Sequence, residues 1–527
     1  MGEDESIDKD ALGPPPPKLR PRPARRSSDL LGLDRPAGGW GFACADGLLE
    51  YAVQVKRIGM IPLVVALLGS GLLPAQEWVS LFDGKTLEGW KASEAPGSFK
   101  VEDGAIVCAG PRSHLFYTGS PDTGEFANFE LSVEVNSAAG ANSGVYFHTR
   151  FQPEGWPSQG FEVQIHNARS GQGGYRENKL TGSLYGIRNV YKPLVKDGEW
   201  FTLRVTVAGK RVQVRVNEVL VVDYVEPANA RRHLGSGTFA LQCHDPESRV
   251  YYRNLRVKRL PEDFLHTTAP AAPMTDYELE ILRLGGANFP VVNYHTHLKG
   301  GLTLEEALAV SRQTGVFLGV AVNCGLNFAV TNDAGIDDFL RSMRGQPVFV
   351  AMQAEGREWV NLFSRDAIRR FDYVFTDAMT IVDDEGRRMR LWIKEEVPPI
   401  PDKEAFLEML VDRTVRILET EPIDILVNPT FLPASLAAQY DQLWTEARMR
   451  RVAEAAARRK IAIEINSRYR LPSPAFLRLA KAAGCQFTFG TNNADRDIGR
   501  LDYCFQMVRE LDLKWQDIWV PRLKTGL

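Results

Sequence analysis

Histidine is scarce in this sequence and unevenly placed. Eight occur in 527 residues (114, 148, 166, 233, 244, 266, 295 and 297), and none follows His297. A metal cage in the C-terminal half therefore has two imidazoles at most, both at its start. The six cysteines (44, 108, 243, 324, 485 and 504) include no C-x-x-C pair. That spacing implies neither a zinc knuckle nor a disulfide framework, and such cysteines behave as small buried hydrophobes. The phosphate-cradling G-x-x-x-x-G-K-[ST] loop, the G-x-G-x-x-G fingerprint and the Ser-centred nucleophile elbow are all missing, so no nucleotide or flavin cofactor is expected. A formal charge of −3 gives no electrostatic case for nucleic acid.

What remains is an ordinary globular composition, 44% hydrophobic and 24% charged, in a chain too long for one core. Residues 1–59 carry the Pro- and Arg-rich run "GPPPPKLRPRPARRSSD" and read as a disordered leader. Lys56 and Arg57 then precede the uncharged stretch Ile58–Leu73, with Ala75 before Gln76. This is the layout of a signal peptide over 60–75, too short for a membrane span of about 20 residues. The expectation is a periplasmic or secreted protein with no integral span once the signal is removed.

From Trp78 to Pro261 strands follow one another. "FELSVEV" sets Phe129, Leu131, Val133 and Val135 on one face, and "FTLRVTVAGKRVQVRVNEVLVVDY" repeats the alternation across turns at 208–210 and 217–218. The expectation over 76–261 is an all-β jelly-roll sandwich. "LPEDFLHTTAPAAPMTDYE" breaks the pattern, which places a linker at 262–284. Over 285–527 the period changes. Seven short apolar runs, "VVNYHTH", "FLGVAVN", "VFVAMQAE", "YVFTD", "ILVN", "AIEIN" and "FTFGTN", mostly alternate with amphipathic helical stretches. That pattern predicts an α/β barrel of seven parallel strands.

Alternation also groups polar residues. In "GFEVQIHN", Glu162, Gln164 and His166 share one sheet face; in "FALQCHD", Gln242 and His244 do; in "NSGVYFH", Tyr146 and His148 do, after Asn142. A plain solvated face is the ordinary alternative, but such faces are usually rich in Lys, Glu and Thr. This one collects groups that hydrogen-bond sugar hydroxyls or move protons. The expectation is a concave saccharide groove, with Glu162, His166 and His244 as acid–base candidates. Asn142, His148, Gln164 and Gln242 are the binding candidates.

"LFDGKTLEGW", "FKVEDGAIV", "NSGVYFHTR", "GFEVQIHN", "TGSLYGI" and "LQCHDPESRVYYRNLRVKRL" stand in the order seen in the 3-keto-disaccharide hydrolase domain family. The region resembles that family over nearly all of 78–261. The resemblance implies a concanavalin-like jelly roll, a keto-glycoside substrate, and a groove containing Asn142, Glu162, Gln164, Tyr185 and His244. Asn167 stands where many relatives carry Asp.

Over roughly 288–512 the chain resembles the polymerase-and-histidinol-phosphatase (PHP) family of metal-dependent phosphoesterases, whose barrel is (β/α)7. His295 and His297 match its opening His-x-His, and Glu355 matches its metal-bridging carboxylate. Other positions depart from the pattern: Asn323 and Cys324 stand in place of Asp-His, Asn428 in place of His, Asn492 and Ala494 in place of Asp-x-His, and Met379 at a further His position. Those changes remove charge and basicity, so a trinuclear site is not expected. One divalent cation (Zn, Mn or Fe) on His295, His297, Glu355 and Asp377 is the remaining metal expectation, beside a vestigial pocket. For the whole chain three readings stand open: an exported hydrolase of keto-sugars; a carbohydrate-binding jelly roll serving a metal-dependent hydrolase barrel; and a non-catalytic sugar-recognition protein.

Overall fold

The computed structural model describes residues 77–523, apart from 120–123, 172–173, 267–271 and 383–386. The leader at 1–59 and the signal-peptide stretch at 60–75 lie outside the described residues. Two antiparallel sheets form a sandwich of jelly-roll type. One has five strands in the order Trp90–Ala92, Ser113–Tyr117, Thr238–Cys243, Asn142–Thr149 and Phe161–His166. The other has eight and is centred on Phe129–Ser137 and Arg249–Arg259. Phe129, Leu131, Val133 and Val135 are all buried, as the alternation requires. The turn at Asn217–Glu218 places both residues at positive φ (46° and 67°), the conformation that a tight hairpin between right-twisted strands demands.

The second half is a closed barrel of seven parallel strands. In order these are Val292–Thr296, Phe317–Cys324, Phe349–Ala354, Tyr373–Thr376, Ile425–Leu426, Ala462–Asn466 and Phe487–Gly490. Each of the seven apolar runs supplies one strand. Helix Leu304–Thr314 shows how local sequence sets a boundary: Thr303 and Glu306 form a reciprocal capping box at its start, and Gly315 ends it at φ 85°. The stretch read as a linker holds more structure than expected. Helix Asp276–Gly286 begins inside it, on a second capping box made by Thr275 and Glu278.

One apolar core runs from the sandwich into the barrel. It joins Val163, Ile165 and Tyr191 of the sandwich to Val292, Tyr294, Phe317, Phe349 and Tyr373 of the barrel. Phe317 and Phe349 are the first residues of their strands, so the sandwich covers the N-terminal end of the barrel. The Tyr191 ring meets Phe317 edge-on at 5.8 Å, and its hydroxyl donates to the Phe289 carbonyl at 2.9 Å. Arg169, buried over the Phe349 ring, donates to the carbonyls of Tyr191 and Pro521. Among the described residues no helix is long and apolar enough to cross a membrane.

The joint predicts its own test. Tyr191→Ala removes a fully buried ring and should lower the stability of the chain by about 3 kcal/mol or more, measured by chemical denaturation. An unchanged midpoint would mean that the shared core does not hold the two halves together.

Candidate active site

The register of the five-stranded sheet assembles a polar hollow on its face. Asn142 lies opposite His166, Gly144 opposite Gln164, and Tyr146 opposite Glu162. Gly144 is part of the construction. A Cβ there would stand 2.4 Å from Glu162 Oε1, so only glycine leaves room for the carboxylate. The resulting cavity, about 350 Å³, is lined by Asn142, Tyr146, Trp156, Pro157, Glu162, Gln164, Glu177, Tyr185, Arg232, Gln242 and His244. Its size suits a small saccharide.

Glu162 sits at the centre. The Tyr146 hydroxyl donates to its Oε2 at 2.9 Å, and the Gln242 amide donates to its Oε1 at 3.0 Å. Burial pushes its pKa up to about 7, against the lowering effect of those two hydrogen bonds; the nearby Glu177 charge pushes the same way as burial. The second carboxylate behaves oppositely. Burial would also raise Glu177, but the Lys179 ammonium 2.7 Å away and a hydroxyl bond from Tyr185 hold it below its usual value. One acid poised near neutrality beside one held ionised is the division of labour that acid–base chemistry requires.

His244 stands on the pocket wall with Nδ1 2.7 Å from Asp245 Oδ2, which leaves Nε2 for a ligand. Burial acts against the Asp245 charge, yet hydrogen bonds from His244 and Ser248 keep its pKa below the usual value. Trp156 is 44% exposed on the rim, and its ring lies 5.1 Å from the His244 ring. Gln164 donates to Asn142 Oδ1 at 2.9 Å, so the two amides orient each other.

Two sequence-derived candidates leave this constellation. His166 lies on the expected face, but its Nδ1 is bonded to the Ala141 carbonyl at 3.0 Å and its Nε2 accepts from the Ser170 backbone at 3.1 Å. Both nitrogens are spent on the backbone, so His166 braces the loop after its strand. His148 is displaced by an irregularity in strand pairing and a φ of 53°. It lies buried between Phe129 and Phe147, bonded to Ala127 and Gly235. Conversely, Glu177, Trp156, Pro157 and Arg232 come from irregular segments with no period to mark them. Lys179 joins them behind the wall, as does His114, whose buried ring lies 5.6 Å from Trp156 and whose pKa burial pushes down to about 4.

The barrel residues gather at the C-terminal strand ends, away from the sandwich. His295 Nδ1 is 2.7 Å from Glu464 Oε1, and its Nε2 is 3.3 Å from Gln353 Oε1. Asn323 donates to Glu355 at 2.7 Å, and the Met379 backbone donates to Asp377 at 2.9 Å. Burial, then mutual repulsion, pushes Glu355 up, and burial pushes Asp377 up. His297 Nδ1 is bonded to the Ala321 carbonyl, and its buried Nε2 has no hydrogen-bond partner. Among the described residues no three His, Cys, Asp or Glu groups are arranged to hold a metal ion. As placed, His295, His297, Glu355 and Asp377 do not converge on one cation position: the Asn323 amide is bonded to Glu355, and the Gln353 amide oxygen faces His295 Nε2. A larger cleft of about 870 Å³ runs along the joint, with Lys192 paired to Asp372 and Arg370 to Asp337 on its walls.

Comparison with known proteins bears on the sandwich. Residues 77–258 match the family model of the 3-keto-alpha-glucoside-1,2-lyase-like domain. A curated relative, the 3-keto-disaccharide hydrolase of Bacteroides thetaiotaomicron, is 33% identical over 82 residues, covering 14% of this chain. The match spans 28% of that relative's length. A crystal structure from Parabacteroides distasonis, named as a glycosyl hydrolase, aligns at 23% identity over 35% of this chain and 94% of its own, with a TM-score of 0.30. The histidinol phosphate phosphatase of Lactococcus lactis aligns at 14% identity over 42% of this chain and 92% of its own, with a TM-score of 0.32. Neither structural likeness bears on chemistry.

The Glu162 environment has a stability signature. A carboxyl whose folded pKa exceeds its unfolded value binds more protons folded than unfolded between the two, so stability falls as pH rises through that window. Glu162→Gln keeps the shape and abolishes the titration. Wild type should lose stability relative to that variant from about pH 5 to about pH 7.5, read as a growing gap in melting temperature. A constant gap would show that Glu162 titrates like an exposed glutamate.

Proposed function

We propose that the sandwich is a hydrolase domain acting on glycosides oxidised to a ketone at C3. The observation that carries the reading is the pairing of Glu162, poised near neutrality, with ionised Glu177 in one saccharide-sized hollow. The match of 77–258 to the 3-keto-alpha-glucoside-1,2-lyase-like family supports it.

A C3 ketone acidifies the C2 proton, which brings it within reach of a carboxylate base. In this proposal Glu162 takes that proton while the C2–H electron pair passes into an enolate on the C3 oxygen. The enolate collapses to a C1–C2 double bond, the C1–O bond breaks, and its electrons leave on the departing oxygen. His244, as an imidazolium backed by Asp245, protonates that oxygen. That collapse re-forms the C3 ketone as an enone. Water then adds at C1, its proton passing to the now neutral His244 and the C1–C2 π electrons to a second enolate on the C3 oxygen. Glu162 returns its proton to C2, which completes a net hydrolysis. Asn142 and Arg232 supply donors for the enolate oxygen, and Trp156 offers a flat platform to the apolar face of the sugar. No step passes through a metal ion.

The barrel enters this proposal as the support on which the sandwich is seated. Export enters it on the layout of residues 56–76 alone, and the working compartment is then extracytoplasmic.

Turnover of a 3-keto-glucoside beside its unoxidised parent tests the reading. The keto sugar should be cleaved and the parent left intact, and Glu162→Gln should cut kcat by about 10²- to 10⁴-fold. Equal turnover of both sugars, or of neither, removes the proposal. Tight sugar binding without cleavage would leave a recognition module in its place.

A further inference from the structure

We infer that Asn288, which precedes the first barrel strand, is a positioning residue for the sandwich pocket and fixes the Glu177–Lys179 pair in the pocket wall. The inference rests on reading that pocket as the reactive site. Glu177 lies in the stretch 167–200, which contains no strand or helix among the described residues, and its own backbone is held there by one hydrogen bond, from its N–H to the Ser170 carbonyl at 3.1 Å. Asn288 holds the residues on both sides of Glu177. Its Oδ1 accepts from the Asn178 backbone N–H at 3.0 Å, and its Nδ2 donates to the Arg176 carbonyl at 2.6 Å. Its own carbonyl accepts from the Asn178 side chain at 3.1 Å. The same Oδ1 accepts from Lys179 Nζ at 3.2 Å.

That last contact matters for charge. Lys179 is 1% exposed, so its ammonium needs oxygen partners inside the protein. It has Glu177 Oε1 at 2.7 Å and Asn288 Oδ1, with the Tyr185 ring face 4.4 Å away. Without Asn288 the ammonium keeps one acceptor, and the cation that neutralises Glu177 loses its fixed place. Asn288 is itself buried, at a φ of 63°, a left-handed conformation that asparagine and glycine tolerate and most residues do not. Glycine therefore removes the side chain without straining the backbone.

The test uses the full chain with Asn288→Gly and Asn288→Asp, and reads two quantities. One is keto-glucoside kinetics per folded molecule. The other is the Lys179 ammonium resonance in ¹⁵N-lysine-labelled protein, assigned by its loss in Lys179→Met. Asn288→Gly should shift or broaden that resonance and lower kcat on the order of 10- to 100-fold with KM nearly unchanged. Asn288→Asp keeps the acceptor for Asn178 and Lys179 but loses the donor to the Arg176 carbonyl, so it should retain the Lys179 resonance and lower kcat less than Asn288→Gly does. An unchanged resonance and kcat in Asn288→Gly would overturn the inference, as would equal loss in both variants. If Asn288→Gly does not fold, Asn288→Asp decides: a retained resonance supports the inference and a lost one overturns it. If the wild type cleaves no keto-glucoside, the functional reading fails by itself, and the resonance alone then decides the positioning role.

Discussion

Two carboxylates share one hollow, and among the described residues only Glu177 of the two is ion-paired. The remaining features of the site follow from that asymmetry. Glu177 is neutralised by Lys179 at 2.7 Å, so its charge persists despite burial. Among the described residues, Glu162 receives neutral donors, the Tyr146 hydroxyl and the Gln242 amide. Hydrogen bonds from neutral groups recover part of the lost hydration of an anion, but less than a full charge does. Its proton affinity therefore rises into the range where a base is effective at neutral pH and its conjugate acid can return the proton. Gly144 makes the arrangement sterically possible, since any larger residue would occupy the carboxylate's place.

The second half of the molecule acts on this site from below. The sandwich closes the N-terminal end of the barrel through one shared apolar core, while His295, His297, Glu355 and Asp377 sit at the opposite strand ends. The two polar centres thus do not open into a common pocket. What passes between the halves is mechanical: the irregular segment that carries Glu177 and Tyr185 is pinned by Asn288 and, through Tyr191, by Phe289. At the barrel mouth, His295, Glu355 and Asp377 are bonded to carboxylate, amide and backbone groups, while among the described residues His297 Nε2 has no hydrogen-bond partner. His295 Nδ1 meets Glu464 at 2.7 Å.

How far the sequence could be read follows from where the signals are periodic. Period-two alternation located Asn142, Glu162, Gln164, Gln242 and His244, because regular strands put alternate residues on one face. It failed at His148, where a pairing irregularity and a left-handed backbone turn the side chain into the core. It misjudged His166 for another reason: the face was right, but the backbone of the following loop takes up both ring nitrogens. Glu177 and Lys179 were invisible, since neither lies in an element with a period and their pairing depends on Asn288, more than a hundred positions away. Seven apolar runs were enough to count the barrel strands. The capping pattern Thr275–Glu278 was also legible, and weighing it would have recovered the helix inside the presumed linker. Strand-end position located the histidines and acids of the barrel mouth but carried no information on which of their atoms stay free.

The central claim is that Glu162 is a desolvated acid poised near neutrality, and its titration can be followed directly. In protein labelled with ¹³C at the glutamate side-chain carboxyl, the resonance lost in Glu162→Gln identifies the residue. This account predicts that its chemical shift inflects at about pH 7. An inflection at the ordinary glutamate value of about 4.3 would contradict it, and with it the acid–base division on which the proposed chemistry depends.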